Sequence, residues 1–88
     1  MKNLKAYVEN KNQWNAIFGM APMDINDGYD RLQIAKTLDG ELSPENLHCD
    51  GEISLDQAER KRQKLNKVCA ELIKLDPAIK YQLGEYYP

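Results

Sequence analysis

The side chains best suited to chemistry lie in one stretch, residues 38–57, which reads LDGELSPENLHCDGEISLDQ. It contains Asp-Gly-Glu twice, each time followed by an aliphatic residue and a serine, and it holds the single histidine, His48, next to Cys49. Carboxylates beside a glycine are typical of calcium loops, and histidine and cysteine are typical zinc ligands. The stretch therefore raises two metal hypotheses, and each depends on how the remaining ligand positions are filled.

A calcium loop of the EF-hand type fits residues 46–57 only in part. Four residues match the positions of that pattern: Asp50, Gly51, Ile53 and Ser54. His48 stands where a hard oxygen ligand is needed, and Gln57 stands where a glutamate would supply the bidentate carboxylate. A degenerate EF-hand-like calcium site at 46–57 is therefore kept only as a third hypothesis.

The sequence supports neither zinc binding nor nucleophilic catalysis at His48 and Cys49, because the further side chains that each would need are missing. Zinc takes four ligands, usually in spaced pairs, and Cys69 is the only other soft ligand in the chain. A nucleophile needs a base that points at it, and the side chains of adjacent residues seldom do so. The chain also has no G-x-S-x-G motif, phosphate-binding glycine loop or dinucleotide fingerprint. The sequence predicts no catalytic residue, no metal, no cofactor and no enzymatic activity.

Charge is divided into two blocks. Residues 39–59 carry seven acidic groups and no lysine or arginine, and residues 60–75 carry six basic groups and one acid. Segregated charge of this kind is typical of partner surfaces, although it also occurs on plain solvated faces. The predicted partner-binding residues are Arg60, Lys61, Arg62, Lys64 and Lys67 of the basic block and Glu41, Glu45, Asp50 and Glu52 of the acidic block.

Nucleic-acid binding is the alternative from a different functional class. Arg60, Lys64 and Lys67 recur at i, i+4 and i+7, a spacing that lets one helix face follow phosphates. The isoelectric point near 5.3 and the adjacent acidic block argue against this alternative. No aromatic residue lies among these basic residues to stack on bases.

The sequence predicts that helices carry and position the charged residues. Hydrophobic periodicity and end signals predict helices over about 11–19, 27–38, 44–48, 54–75 and 77–83. Asp27 is the predicted N-cap of the second helix, and Ser54 with Gln57 forms a predicted capping box. The segment LKAYVEN, 4–10, predicts a short strand or an extended arm. The expected fold is a single all-α domain, 1–88, of four or five helices built around the helix at 54–75.

The predicted core combines the apolar faces of these helices. Its members are Trp14, Ile17, Phe18, Leu32, Ala35, Leu38, Leu65, Val68, Leu72 and Leu75, with Cys69 as a buried free thiol. The aromatic pair, Trp14 and Phe18, is expected to anchor the core because it is the largest apolar group in the chain. An exposed aromatic recognition patch is the alternative interpretation of the same residues.

The segment LSPENLHCDGEIS and the basic helix that follows it resemble small proteins of tailed phages and prophages, over residues 37–76. The resemblance implies a habitat, the cytoplasm of a bacterial host, and small phage proteins of this size often bind and inhibit or redirect a host protein. It implies no activity and no functional residue. The N-terminal MKNLKAYVEN has no long apolar run, which favours a cytoplasmic location without a membrane segment. We therefore expect a non-enzymatic protein-binding protein, and self-association stays open.

Overall fold

The computed structural model describes residues 2–47, 54–83 and 87. Helices take up 82% of these residues, and no strand occurs within the described ranges. The elements are α1 (Lys2–Ile17), α2 (Gly28–Leu42), α3 (Pro44–Leu47), α4 (Leu55–Leu75) and a 3-10 helix (Pro77–Leu83). The predicted all-α fold class is confirmed, with α4 as its longest helix.

The N-terminal segment is helical, so the strand or arm predicted at 4–10 is wrong. Leu4 and Val8 lie one turn apart on the face of α1 that is buried against α4. Backbone N–H groups of Asn3 and Leu4 donate to Oε1 of Glu71 on α4, at 3.1 and 3.3 Å. A cap supplied by a residue so distant in sequence leaves no local signal. The helix predicted over 11–19 therefore starts nine residues too late.

The predicted N-cap of the second helix is confirmed, but its predicted C-terminal end is wrong. Asp27 Oδ1 accepts hydrogen bonds from the backbone N–H groups of Tyr29 and Asp30, at 2.9 and 3.1 Å. Instead of stopping near Leu38, α2 continues through Gly40 to Leu42, whose side chain is buried. Burying a leucine is worth about 1.5–3 kcal/mol, more than the roughly 1 kcal/mol that a helical glycine costs.

The start of α4 is the predicted capping box. Ser54 N–H donates to Oε1 of Gln57 at 3.1 Å, and Gln57 N–H donates to Oγ of Ser54 at 3.2 Å. The last predicted helix occupies 77–83 as a 3-10 helix, in which Ile79 and Leu83 are buried. Both features are governed by neighbouring residues, so the local sequence was sufficient to predict them.

The helices are arranged around α4. The capping contact places the start of α1 near the end of α4, and Arg31 Nε at the start of α2 donates to Asp76 Oδ2 at 3.0 Å. Both helices therefore run antiparallel to α4. The intervening segment, 18–27, has to return along α1, and the Asn12 side chain holds it by two hydrogen bonds to the Met23 backbone, at 2.7 and 3.0 Å.

Buried residues from every helix join one apolar cluster. Six of them were predicted: Ala35, Leu38, Leu65, Val68, Cys69 and Leu72. Seven were not: Leu4, Val8, Ile34, Leu42, Leu47, Ile79 and Leu83. Leu32 and Leu75, also predicted, pack against the edge of this cluster.

The predicted aromatic anchor of the core is wrong. Trp14, Ile17 and Phe18 are 57%, 70% and 73% exposed. At about 100° per residue, Ile17 lies on the side of α1 opposite the buried Val8. Leu4 and Val8 are the residues through which α1 is buried, and the core closes without Trp14, Ile17 and Phe18.

The Glu71 carboxylate makes the docking of α1 depend on pH. Partial loss of hydration raises its pKa, but the hydrogen bonds from Leu4 and Asn3 outweigh this effect, so the pKa lies below its ordinary value of 4.5. A lowered pKa means that the stabilisation is present at neutral pH and is lost as the pH falls through the lowered value.

Glu71→Gln should reduce the free energy of unfolding by about 0.5 kcal/mol at pH 7, because the variant loses a negative charge at a helix N-terminus. The effect is small since solvent screens this partly exposed group. Thermal unfolding between pH 3 and 7 should show the variant and wild type converging below pH 4.5. Glu9→Gln, at an exposed position of α1, is the control. A difference that persists unchanged at pH 3 would contradict the capping role.

Candidate functional site

The predicted basic residues lie on the outside of α4 but do not act as one group. Arg60, Lys61, Lys64 and Lys67 are exposed. Arg62 pairs with Glu59 of its own helix, with Nε donating to Oε2 at 3.0 Å. Hydrogen bonding to Arg62 lowers the pKa of Glu59. This local pair neutralises one of the five cations.

The predicted acidic residues are separated in the structure. Glu41 is half-buried at the end of α2, and Glu45 is exposed on α3. Asp50 and Glu52 lie outside the described residues, and so do His48 and Cys49. The calcium hypothesis for 46–57 and the zinc hypothesis for His48 and Cys49 therefore rest largely on residues 48–53, which the structure does not describe. Within the described ranges, no three His, Cys, Asp or Glu side chains are grouped so as to hold a metal ion.

An open groove of about 420 Å³ lies between α1 and α4 and brings together residues from both charge blocks. We call it the α1/α4 groove. Its lining is formed by Asn3, Ala6, Tyr7, Asn10, Lys11, Glu41, Lys61, Lys64, Leu65 and Val68. Leu65 and Val68 provide a buried apolar floor, and the exposed Lys61 and Lys64 stand at its edge. Volumes of this order are typical of ligand pockets, although this groove is open on one side.

The α1 side of the groove holds a compact charged arrangement. Lys11 pairs with Glu41, and its Nζ lies 5.5 Å from the centroid of the Tyr7 ring, within cation–π range. The Tyr7 hydroxyl is buried near the Glu41 carboxylate, without a hydrogen bond of good geometry among the described residues. Burial, followed by the Glu41 charge, raises the pKa of Tyr7 well above its ordinary value. Tyr7 therefore stays neutral at physiological pH.

The buried cysteine is not a nucleophile. Cys69 is fully buried in the core as a free thiol, as predicted. Its burial, with the nearby carboxylates of Asp39 and Glu41, raises the pKa of its thiol to about 12. Because the thiolate is the reactive form, this side chain is inert at neutral pH.

The end of α1 presents four large apolar side chains, which we call the aromatic patch: Trp14, Ile17, Phe18 and Met20. The helix ends in a Schellman motif. Gly19 has φ +71°, its N–H donates to Ala16 O at 3.1 Å, and Met20 N–H donates to Asn15 O at 2.8 Å. In this motif the residue after the glycine lies near the last helical turn, which places Met20 next to the aromatic residues.

The aromatic patch begins one helical turn beyond the groove along α1. Asn10 lines the groove, and Trp14 and Ile17 follow it at i+4 and i+7 on the same side of α1. The step from Asn10 to Trp14 is about 6 Å along the helix axis. Along α1, exposed apolar residues therefore follow the groove that Lys61 and Lys64 line.

The sequence analysis missed the α1 side of this site, because it predicted a strand or an extended arm over residues 4–10. The spacing of Leu4, Val8 and Lys11 is helical and was the available signal. The sequence analysis did include Lys61, Lys64 and Glu41 among the predicted binding residues, and the structure brings these three to one groove. Arg60, Arg62, Lys67 and Glu45 do not line it.

None of the helices in the described ranges is both long and apolar enough to cross a membrane. No protein-family model matches the chain, and comparisons with curated proteins and with solved structures give no significant match. Functional inference therefore depends on the geometry of the site.

Proposed function

We propose that this is a non-enzymatic protein that binds another protein through the aromatic patch. The observation that carries the proposal is the exposure of Trp14, Ile17 and Phe18 on an ordered helix end, while the core closes without them. Contiguous apolar surface on a small domain is typical of interaction sites. Aromatic side chains are also enriched among residues that dominate binding energy.

The partner in this proposal is a bacterial protein, as the resemblance to phage proteins implies, and regulation of that protein is the role we assign. The exposed lysines of the α1/α4 groove support rapid association with an acidic surface, because complementary charge steers encounter. The apolar residues supply most of the affinity. Each large side chain that becomes fully buried contributes about 1.5–3 kcal/mol.

The double substitution Ile17→Ser with Phe18→Ser should weaken partner binding at least about 30-fold, which corresponds to about 2 kcal/mol. The experiment compares wild type, this variant and Tyr81→Ser as baits in bacterial lysate. Tyr81 is the matched control, because it is 90% exposed and lies outside the patch on the 3-10 helix. Captured proteins are identified by mass spectrometry, and the binding of each is measured by titration with purified components.

The expected result is a stoichiometric protein that wild type and Tyr81→Ser bind equally and the double variant loses. Fluorescence provides a direct readout, since Trp14 is the single tryptophan of the chain. Its emission should shift to shorter wavelength when the partner covers the patch. Equal capture by the double variant, or no partner that depends on the patch, would overturn the proposal.

Nucleic-acid binding is the second candidate, because the structure places exposed aromatic side chains one helical turn from the cationic groove. This supplies the stacking surface that the basic run itself lacks. In that case affinity for a single-stranded oligonucleotide should fall steeply with salt, and Arg60→Glu with Lys64→Glu should abolish it. A flat gel shift at low salt would exclude this candidate.

A further inference from the structure

We infer that the segment of the partner that binds here is an acidic amphipathic helix. Its apolar face covers the aromatic patch, and its carboxylates lie in the α1/α4 groove beside Lys61 and Lys64. This inference rests on the proposed function and specifies the chemistry of the partner.

The charge of the groove favours acidic side chains. Three lysines line it against one glutamate, and that glutamate, Glu41, is already paired with Lys11. Lys61 and Lys64 make no salt bridge with any residue that the structure describes. They are therefore available to a carboxylate that arrives from outside.

The floor of the groove favours a glutamate side chain over a phosphate. Leu65, Val68 and the Tyr7 ring present apolar surface, on which the methylene groups of a glutamate can pack. A phosphate backbone has no such apolar stem. The groove is therefore better suited to an acidic protein segment than to a nucleic acid.

The length of the surface matches a helix. Groove and patch extend along α1 from Asn3 to Ile17. At a rise of 1.5 Å per residue this is about 21 Å, or about four helical turns. A helix lying in a groove is a common mode of peptide recognition, with apolar anchors spaced three or four residues apart.

A second copy of this chain fits the surface poorly. A two-fold symmetric dimer would place the same patch and the same cationic edge on both sides of the interface. The cationic edge of each copy would then need a carboxylate from the other copy, and the one carboxylate among the groove-lining residues that the structure describes, Glu41, is already paired with Lys11. An acidic partner has no such conflict.

The test uses synthetic 18-residue amphipathic peptides that contain no aromatic residue, so that Trp14 fluorescence reports binding. One peptide has leucines along one face and glutamates beside them, and the second has every glutamate replaced by glutamine. The protein variants are Lys61→Glu with Lys64→Glu, and a control with Lys74→Glu and Lys80→Glu, which changes the same charge at exposed positions away from the groove.

The glutamate peptide should bind at least about tenfold more tightly than the glutamine peptide at low salt. This preference should disappear in the Lys61→Glu, Lys64→Glu variant and remain in the control. Equal binding of the two peptides, or no binding of either, would overturn the inference. Tighter binding of a single-stranded oligonucleotide that depends on Lys61 and Lys64 would overturn it in favour of nucleic acid.

The Ile17→Ser, Phe18→Ser variant separates this inference from the proposed function. If that variant weakens both peptides but glutamate confers no preference, only the acidic partner is wrong. If the variant binds both peptides as wild type does, the patch is not the contact surface and the proposed function fails as well.

Discussion

Leu72→Ala should lower the free energy of unfolding by about 3 kcal/mol, because it leaves a cavity in the core. Leu72 is fully buried on α4, in the cluster that joins all the helices. A domain of this length has about 4–13 kcal/mol of stability in total, so the loss is a large fraction. Urea denaturation followed by circular dichroism measures it, provided that unfolding stays two-state.

The matched control for this prediction is Phe18→Ala, which removes a larger apolar side chain from an exposed site. It should change the free energy of unfolding by less than about 0.5 kcal/mol, as is usual for surface substitutions. A loss as large as that of Leu72→Ala would mean that Phe18 belongs to the core, as the sequence suggested. The proposed contact surface would then be wrong as well.

Leu4→Ala should cost about 2–4 kcal/mol and should act mainly on the attachment of α1. Leu4 and Val8 are the only buried residues of α1 in the described core. The helix packs on α4 through them and is capped by Glu71. Losing one of two buried contacts favours local opening of α1 over unfolding of the whole domain.

Hydrogen exchange measures this second effect residue by residue. In Leu4→Ala, the amides of α1 should exchange faster, while those in the middle of α4 should change less. Lys5→Ala is the control, because Lys5 is exposed on the same turn of the helix. Uniform acceleration across all helices would show instead that α1 opens only when the whole domain unfolds.

The attachment of α1 also matters for binding, because this helix forms one wall of the α1/α4 groove and carries Trp14 and Ile17 of the aromatic patch. A variant in which α1 detaches would lose both features together. Loss of peptide binding in Leu4→Ala is therefore expected as an indirect consequence of altered structure. Surface substitutions such as Phe18→Ser, which leave the core intact, are the more direct probes of recognition.

The elements with strong local signals were predictable from the sequence. The Asp27 cap of α2 and the Ser54–Gln57 box of α4 both depend on residues at most three positions apart. The apolar spacing of α4 correctly assigned Leu65, Val68, Cys69 and Leu72 to the core. Such features can be read directly because the interacting groups belong to the same helix.

Elements held by distant contacts were not predictable in this way. The start of α1 depends on Glu71, and the passage of α2 through Gly40 depends on the burial of Leu42. In both cases a tertiary contact outweighs a weak or unfavourable local signal. The spacing of nearby residues contains no information about which distant side chain will complete the contact.

By itself, the sequence determined the all-α class, the caps of α2 and α4, and the charged residues at 60–67, because these follow from composition and local spacing. Only the tertiary structure decided which side of α1 is buried. In that structure Trp14 and Phe18 are exposed, and Glu41 lies in one groove with Lys61 and Lys64. The physical reason is that an apolar helix face is defined by its own residues, but whether it is buried depends on the surface it meets.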